Sequence, residues 1–199
     1  MVFCHPVPES FVSALAARSA EALRSAGHEV DLLDLYAEDF QPAMPTEERR
    51  RYNEMALADH PYPDHAERLQ AAQALVFVYP TWWYGLPAML KGWLDRVLTP
   101  GLAFDLATDN TPIKPLLTHI THCAVITTCG APMWWSYVVG HPGKRTILRG
   151  VRALLARRCK TMFLAHYLMD ISTPETRDAY LTKVTRKLPK FIGKPKERQ

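Results

Sequence analysis

Apolar positions change their period several times along the chain, and the changes mark the elements. Residues 1–4 (MVFC) form a short apolar run that predicts a first strand. Residues 9–26 carry Phe11, Leu15, Ala22 and Leu23 on one helical face, with Ser10 placed to cap the start and Gly27 to end it. HEVDLLDL at 28–35 alternates as a second strand. Residues 36–63 are rich in proline and polar groups, with a short helix expected near 46–58 and another over 64–72. ALVFVY at 74–79 is continuously apolar, as expected of a strand buried on both faces of a parallel sheet. After PTWWYGLP, a stripe of Met89, Leu90, Trp93, Leu94 and Val97 predicts a helix with Pro87 in its first turn.

Residues 99–118 read as irregular, 119–128 as a fourth strand and 129–143 as a long loop. A basic helix, a fifth strand near 161–167 and a last helix over 174–188 complete the chain. Strands alternating with helices predict an α/β fold with a parallel sheet covered on both sides, since right-handed crossovers place a helix between parallel strands. No internal repeat or linker divides residues 1–190, and 191–199 read as a basic C-terminal tail.

Composition narrows the class. Hydrophobic residues make up 48% and charged residues 22% of 199, enough for a sizeable core and against disorder. No apolar stretch approaches the roughly 20 residues that span a bilayer, and no secretory leader is evident; a cytoplasmic protein is expected. Cys4, Cys123, Cys129 and Cys159 show no CxxC pair and no zinc spacing, so they are expected as reduced, buried thiols with no metal role. The net charge of +4 is uneven, with seven basic and no acidic residues over 144–160. Ile147, Leu148, Val151, Leu154 and Leu155 recur at helical spacing, so Arg149, Arg152, Arg157 and Arg158 read first as a solvated helix face. A nucleotide-phosphate or subunit contact is the next reading, and nucleic acid the last.

In such a sheet ligands bind outside the carboxyl ends of the strands. Three loops there carry unusual residues. HPVPESF leads into a helix N-terminus, where free N–H groups suit phosphate. Trp82, Trp83 and Tyr84 can wall a flat cofactor or plug an interface. TTCGAPMWW sets Thr127, Thr128 and Gly130 beside Trp134 and Trp135, with His141 six residues on. There is no GxGxxG and no GxxxxGK[ST].

HPVPESF, GHEVDLLDLYAEDFQPAM, PTWWYGLPAMLKGWLDRVL with GLAFD, and TTCGAPMWW resemble the flavodoxin-like NAD(P)H:quinone oxidoreductases, a group that includes modulator-of-drug-activity enzymes and ancillary flavoproteins of potassium efflux. The resemblance runs through most of 3–167. It implies a three-layer flavodoxin-like sandwich with strand order 2-1-3-4-5, an FAD or FMN cofactor, NAD(P)H as co-substrate and a homodimer. By the same resemblance His5, Ser10 and Phe11 hold flavin phosphates and ribityl chain, and Pro80, Thr81, Trp82, Trp83 and Tyr84 border the ring. Thr127, Thr128, Cys129, Gly130 and Ala131 face its pyrimidine end, with Trp135 as a further wall. His141 falls where animal quinone reductases carry a histidine near the flavin. Their partner tyrosine falls at Trp135, so Tyr137, two residues on, is the candidate proton donor beside His141. Val12 replaces a common Asn, and strand 1 is short.

The implied activity is a two-step cycle in which NAD(P)H reduces the flavin and leaves, and a quinone or similar electrophilic aromatic then takes two electrons. A protonated His141 would add to the stabilising backbone N–H groups. The alternatives are a one-electron carrier, which predicts an acidic chain, a regulatory subunit of a potassium efflux transporter or other partner, and a nucleic-acid binder.

Overall fold

The computed structural model describes residues 1–108 and 110–195. The chain runs through β1 (Val2–Phe3), α1 (Phe11–Ser25) and β2 (Leu33–Asp34). It continues through α2 (Thr46–Arg51), α3 (Pro63–Ala71), β3 (Ala74–Pro80) and α4 (Ala88–Val97). A small antiparallel pair follows, β4 (Phe104–Asp105) with β5 (Lys114–Pro115). The last part holds β6 (His122–Thr128), α5 (Met133–Val139), α6 (Pro142–Arg145), β7 (Lys160–His166) and α7 (Pro174–Ile192).

Five strands form a parallel sheet of order β2-β1-β3-β6-β7, the predicted 2-1-3-4-5. β3 and β6 pair over seven residues, Ala74↔His122 to Pro80↔Thr128, and β6 and β7 over seven more, His122↔Lys160 to Thr128↔His166. The sheet divides two apolar layers. On one face Phe3, Val76, Val78, Ala124, Ile126 and Leu164 meet Leu15 of α1 and Tyr180, Val184 and Leu188 of α7. On the other, Phe77, Tyr79, Cys123 and Val125 meet Ala66 and Leu69 of α3, Leu90 and Trp93 of α4, and Ile147, Val151 and Leu155. Both faces of β3 and β6 are therefore dry, which is why 74–79 shows no polar alternation.

Caps follow chemistry. Ser10 Oγ accepts the Ser13 N–H at 3.1 Å at the start of α1. Thr173 and Thr176 form a reciprocal capping box at the start of α7. Trp93, fully buried, donates its indole N–H to His65 Nδ1 at 3.2 Å, so the His65 Nε2–H faces Glu38 at 2.9 Å. Arg96 pairs with Glu48, both buried, and donates to the Gln41 carbonyl, tying 41–48 to α4.

Several elements differ from the pattern-based expectation. The second strand shrinks to Leu33–Asp34, matched to the two residues of β1, Val2 and Phe3; before it the Asp31 carbonyl accepts from the Met1 amino group at 2.6 Å and the Asp31 carboxylate pairs with Arg68 at 2.6 Å. The expected 46–58 helix is α2 followed by two 3-10 turns, Tyr52–Glu54 and Leu57–Asp59. The irregular 99–118 contains the β4–β5 pair. The loop 129–143 contains helix α5. The basic helix is α6 continuing into a π-helical turn, Thr146–Gly150, and a 3-10 turn, Val151–Leu154. Of the expected tail 191–199, residues 191 and 192 belong to α7 and 196–199 lie outside the described residues. All four cysteines are buried and unpaired.

Gly92 has no room for a side chain. A Cβ there would lie 2.3 Å from the Pro42 carbonyl oxygen and 2.5 Å from its Cα. Gly92→Ala must push backbone 41–45 off α4. Overpacking of this kind costs about 1–3 kcal/mol, expected as a lower urea midpoint with an unchanged m-value.

Candidate active site

The sheet register sets three strand ends level. Tyr79, Thr127 and Ala165 lie side by side across β3, β6 and β7. Side chains two residues apart share a face, so Thr81, Cys129 and Tyr167 extend the same rows outward. Together these residues and Phe163 floor a narrow cleft, partly open to solvent, with Tyr84, Ser136, His141, Gly143 and Lys144 around them.

The ladder continues past the strands. The Thr81 N–H donates to the Thr128 carbonyl at 2.7 Å, and the Thr81 and Thr127 hydroxyls share a hydrogen bond of 2.9 Å. The Cys129 N–H donates to the His166 carbonyl at 2.8 Å. Trp82 to Gly85 then fold into a tight turn, closed by the Gly85 N–H on the Trp82 carbonyl at 2.9 Å. Its two central residues are left-handed, Trp83 at φ 47° and Tyr84 at φ 61°. Such turns normally take Asn and Gly. His141 (φ 48°) and Leu168 (φ 56°) are left-handed too. Four of the five non-glycine residues with positive φ thus cluster at this rim, where strain of about 1–3 kcal/mol each is a mark of functional sites.

The loops hold one another. The Trp135 indole N–H donates to the Tyr84 hydroxyl at 2.9 Å. The Gly143 N–H points to the Tyr84 carbonyl at 3.5 Å, and a Cβ on Gly143 would crowd Gly85 at 3.2 Å. Ser136 Oγ and Cys129 Sγ lie 3.6 Å apart beneath α5. On the far side Trp82 approaches the His5 ring, centroids 6.2 Å apart, joining the β1 loop to the rim. His5 Nδ1 is fixed within its own loop by the Val7 N–H at 3.0 Å.

The predicted residues therefore meet in part. Thr81, Tyr84, Thr127, Cys129 and His141 line the cleft, and Trp82 and Trp135 flank the turn. Trp83 is 95% exposed and points away from the cleft. Tyr137 stacks edge-on against His141, ring centroids 4.7 Å apart, outside the lining. Pro80, Thr128, Gly130 and Ala131 belong to the adjoining strand ends and loop; Gly130 abuts Asp170, whose Oδ2 would lie 2.5 Å from an added Cβ. Ser10 caps α1, and Phe11 packs against His166 at 5.6 Å on the opposite face of the sheet. Phe163, Ala165, Tyr167, Ser136 and Lys144 were not foreseen. The first three alternate along one strand face, a signal present in FLAHY.

Burial, reinforced by Lys144 and Arg145, holds the His141 imidazole below its ordinary range. Burial also pushes the Tyr167 phenol up to about 12. The cleft thus offers aromatic walls, neutral hydroxyls, an imidazole and one ammonium. Its planar walls and hydroxyl floor fit a flat heteroaromatic ring.

The chain belongs to a flavodoxin-like fold family, whose model matches residues 1–190. Among its relatives is NAD(P)H dehydrogenase (quinone) 1 of Rattus norvegicus, 32% identical over 181 residues, covering 80% of this chain and 63% of that protein. Ribosyldihydronicotinamide dehydrogenase (quinone) of Pongo abelii is 32% identical over 123 residues, 53% of each chain, so this chain spans about half to two thirds of these relatives' length. Among solved structures, the NAD(P)H:quinone oxidoreductase of Methanothermobacter marburgensis superposes with TM-score 0.78 at 25% identity, covering 98% of this chain and 96% of that one.

Three histidines, His60, His141 and His166, are held below their ordinary value of 6.5, in each case mainly by burial. The unfolded chain then binds more protons than the folded one as pH falls through about 6.5, so this stability is present above that pH and lost on acidification. Urea midpoints should drop between about pH 8 and about pH 5.5, and NMR titration should place the His141 ring below 6.5, rising in Lys144→Met.

Proposed function

We propose that the chain is a flavin-dependent NAD(P)H oxidoreductase that delivers two electrons to quinones or similar electrophilic aromatics. One observation carries the reading: three strand ends and two strained turns build a single aromatic-walled cleft at the carboxyl edge of the sheet. The names of its relatives support the same class.

The flavin supplies the hydride chemistry, accepting electrons from the nicotinamide and returning them to the second substrate. The chain's own residues bind, orient and shield. His5 and Ser10 serve the phosphate and ribityl end, at the rim where His5 meets Trp82, while Phe11, packed against His166 on the other face, braces the start of α1 beside them. Pro80, Thr81, Trp82 and Tyr84, with Trp135 hydrogen-bonded to Tyr84, wall the ring; Trp83, facing solvent, serves a partner surface. The segment of Thr127, Thr128, Cys129, Gly130 and Ala131 offers backbone polar groups to its heteroatoms. His141, neutral and edge-on to Tyr137, exchanges a proton with the acceptor oxygen, and Tyr137 relays it to solvent.

The same reading makes the protein a cytoplasmic homodimer. Among the described residues no helix is long and apolar enough to cross a membrane. α5 turns Met133, Trp134, Tyr137 and Val138 outward at 55, 65, 62 and 68% exposure, an apolar face beside the cleft that a second copy would cover. Trp134→Glu with Val138→Asp is expected to convert a dimer to a monomer in analytical ultracentrifugation.

Purified protein supplied with FAD or FMN is expected to show flavin bands near about 375 and about 450 nm and to oxidise NAD(P)H when a quinone is added. Mass spectrometry of the heat-released cofactor identifies which flavin is held. A colourless protein that leaves NAD(P)H untouched refutes the assignment.

A further inference from the structure

Among the described residues that line the cleft, two are basic, His141 and Lys144, and none is acidic. Lys144 is half-buried, and its Nζ stands 4.9 Å from the centroid of the Phe163 ring on the cleft floor. Among the described residues no carboxylate comes within ion-pairing distance of it. An ammonium drawn from water without a counter-ion is held at a cost. A bound anion is the usual way that cost is offset.

The neighbouring basic groups do not fill this role. Burial and the adjacent charges of Lys144 and Arg145 disfavour protonation of His141. Arg145 is exposed and folds back over Gly140, where an added Cβ would come within 3.0 Å of Nη1. The backbone that aims Lys144 inward passes from α6 straight into the π-helical turn Thr146–Gly150. Widened turns of this kind recur at functional sites.

We propose that Lys144 is the fixed positive charge of the cleft, matched to the negative charge that a flavin ring carries after two-electron reduction. This inference rests on the proposed flavin-binding role of the cleft. The oxidised ring is neutral and the reduced ring ionises readily, so a fixed ammonium favours the reduced state over the oxidised one. It raises the midpoint potential without needing to tighten oxidised binding. Lys144, and not an imidazolium at position 141, then does the electrostatic work at neutral pH.

The test compares parent, Lys144→Met, Lys144→Arg and Arg145→Met, each loaded with flavin. The two-electron midpoint potential is measured by dye-coupled reductive titration, and oxidised-flavin affinity by fluorescence quenching. In Lys144→Met, oxidised flavin should bind as in the parent while the preference for the reduced state falls about tenfold, a drop of about 30 mV for a two-electron couple. Lys144→Arg should keep the parent potential, and Arg145→Met should leave it unchanged. A flavin-loaded Lys144→Met with the parent potential, or an equal drop in Lys144→Arg, overturns the inference while leaving the flavin reading intact. A parent protein that binds no flavin overturns both. If Lys144→Met fails to fold, Lys144→Gln gives the same comparison.

Discussion

Seven consecutive parallel pairings between β3 and β6, carried one step further by the Thr81 N–H on the Thr128 carbonyl, fix the height of everything at the rim. A parallel ladder tolerates no slippage here. A shift of one residue would turn Tyr79 and Thr127 from the cleft row to the opposite face, and Val78 and Ile126 out of their core. Because both faces of these strands are buried, the register is specified twice, by two separate apolar layers. The aromatic turn and the Thr-Thr-Cys segment meet because the ladder delivers them at one level.

What the ladder delivers, the turns then bend. Trp83, Tyr84, His141 and Leu168 all occupy the left-handed region without being glycine. A local sequence would not choose this backbone, so the surroundings must impose it: the Trp135–Tyr84 hydrogen bond, the close approach of Gly143 to Gly85, and the Cys129–His166 backbone contact. Part of the stability of the two cores is spent in holding a cleft open to flat ligands. Of the two bulky aromatics at the turn tip, both poor turn formers, Tyr84 lines the cleft while Trp83 stands in solvent.

The sheet was legible because its signals are strong and local. A continuous apolar run at 74–79, helical stripes after it and a Ser cap at position 10 leave little choice of element or order. The missed elements have weak signals for physical reasons. α5 reads MWWSYVV, apolar on nearly every side, so it has no 3.6-residue stripe to find. β2 is short because its partner β1 offers two residues, Val2 and Phe3, and Asp34 turns the chain by accepting from the Tyr36 and Ala37 N–H groups; neither fact shows in the alternation of 28–35. At the site, the rings at 82, 84 and 135 were legible as a group, but Trp83 could not be separated from them, since its direction depends on a φ sign. Lys144 sat in a basic run where Arg145, Arg149, Arg157, Arg158 and Lys160 are exposed and Arg152, expected on the solvated face, instead donates to the Cys159 and Arg157 carbonyls; the run by itself does not single out the one member that lines the cleft. Tyr167 was hidden by lying just beyond a strand end.

The two helices on one side of the sheet come from opposite ends of the chain. Leu15 and Leu23 of α1 share their apolar layer with Tyr180, Val184 and Leu188 of α7, and the Tyr180 hydroxyl reaches the Thr127 carbonyl at 3.3 Å on β6. During vectorial synthesis α1 and the strands emerge long before α7 exists. Until α7 is made, the nascent polypeptide therefore carries one bare oily flank, and the Tyr180–Thr127 contact is still unformed. The apolar layer beneath α1 can close only once Pro174–Ile192 has been made, so this half of the core sets later than the β1–α1 segment that begins it.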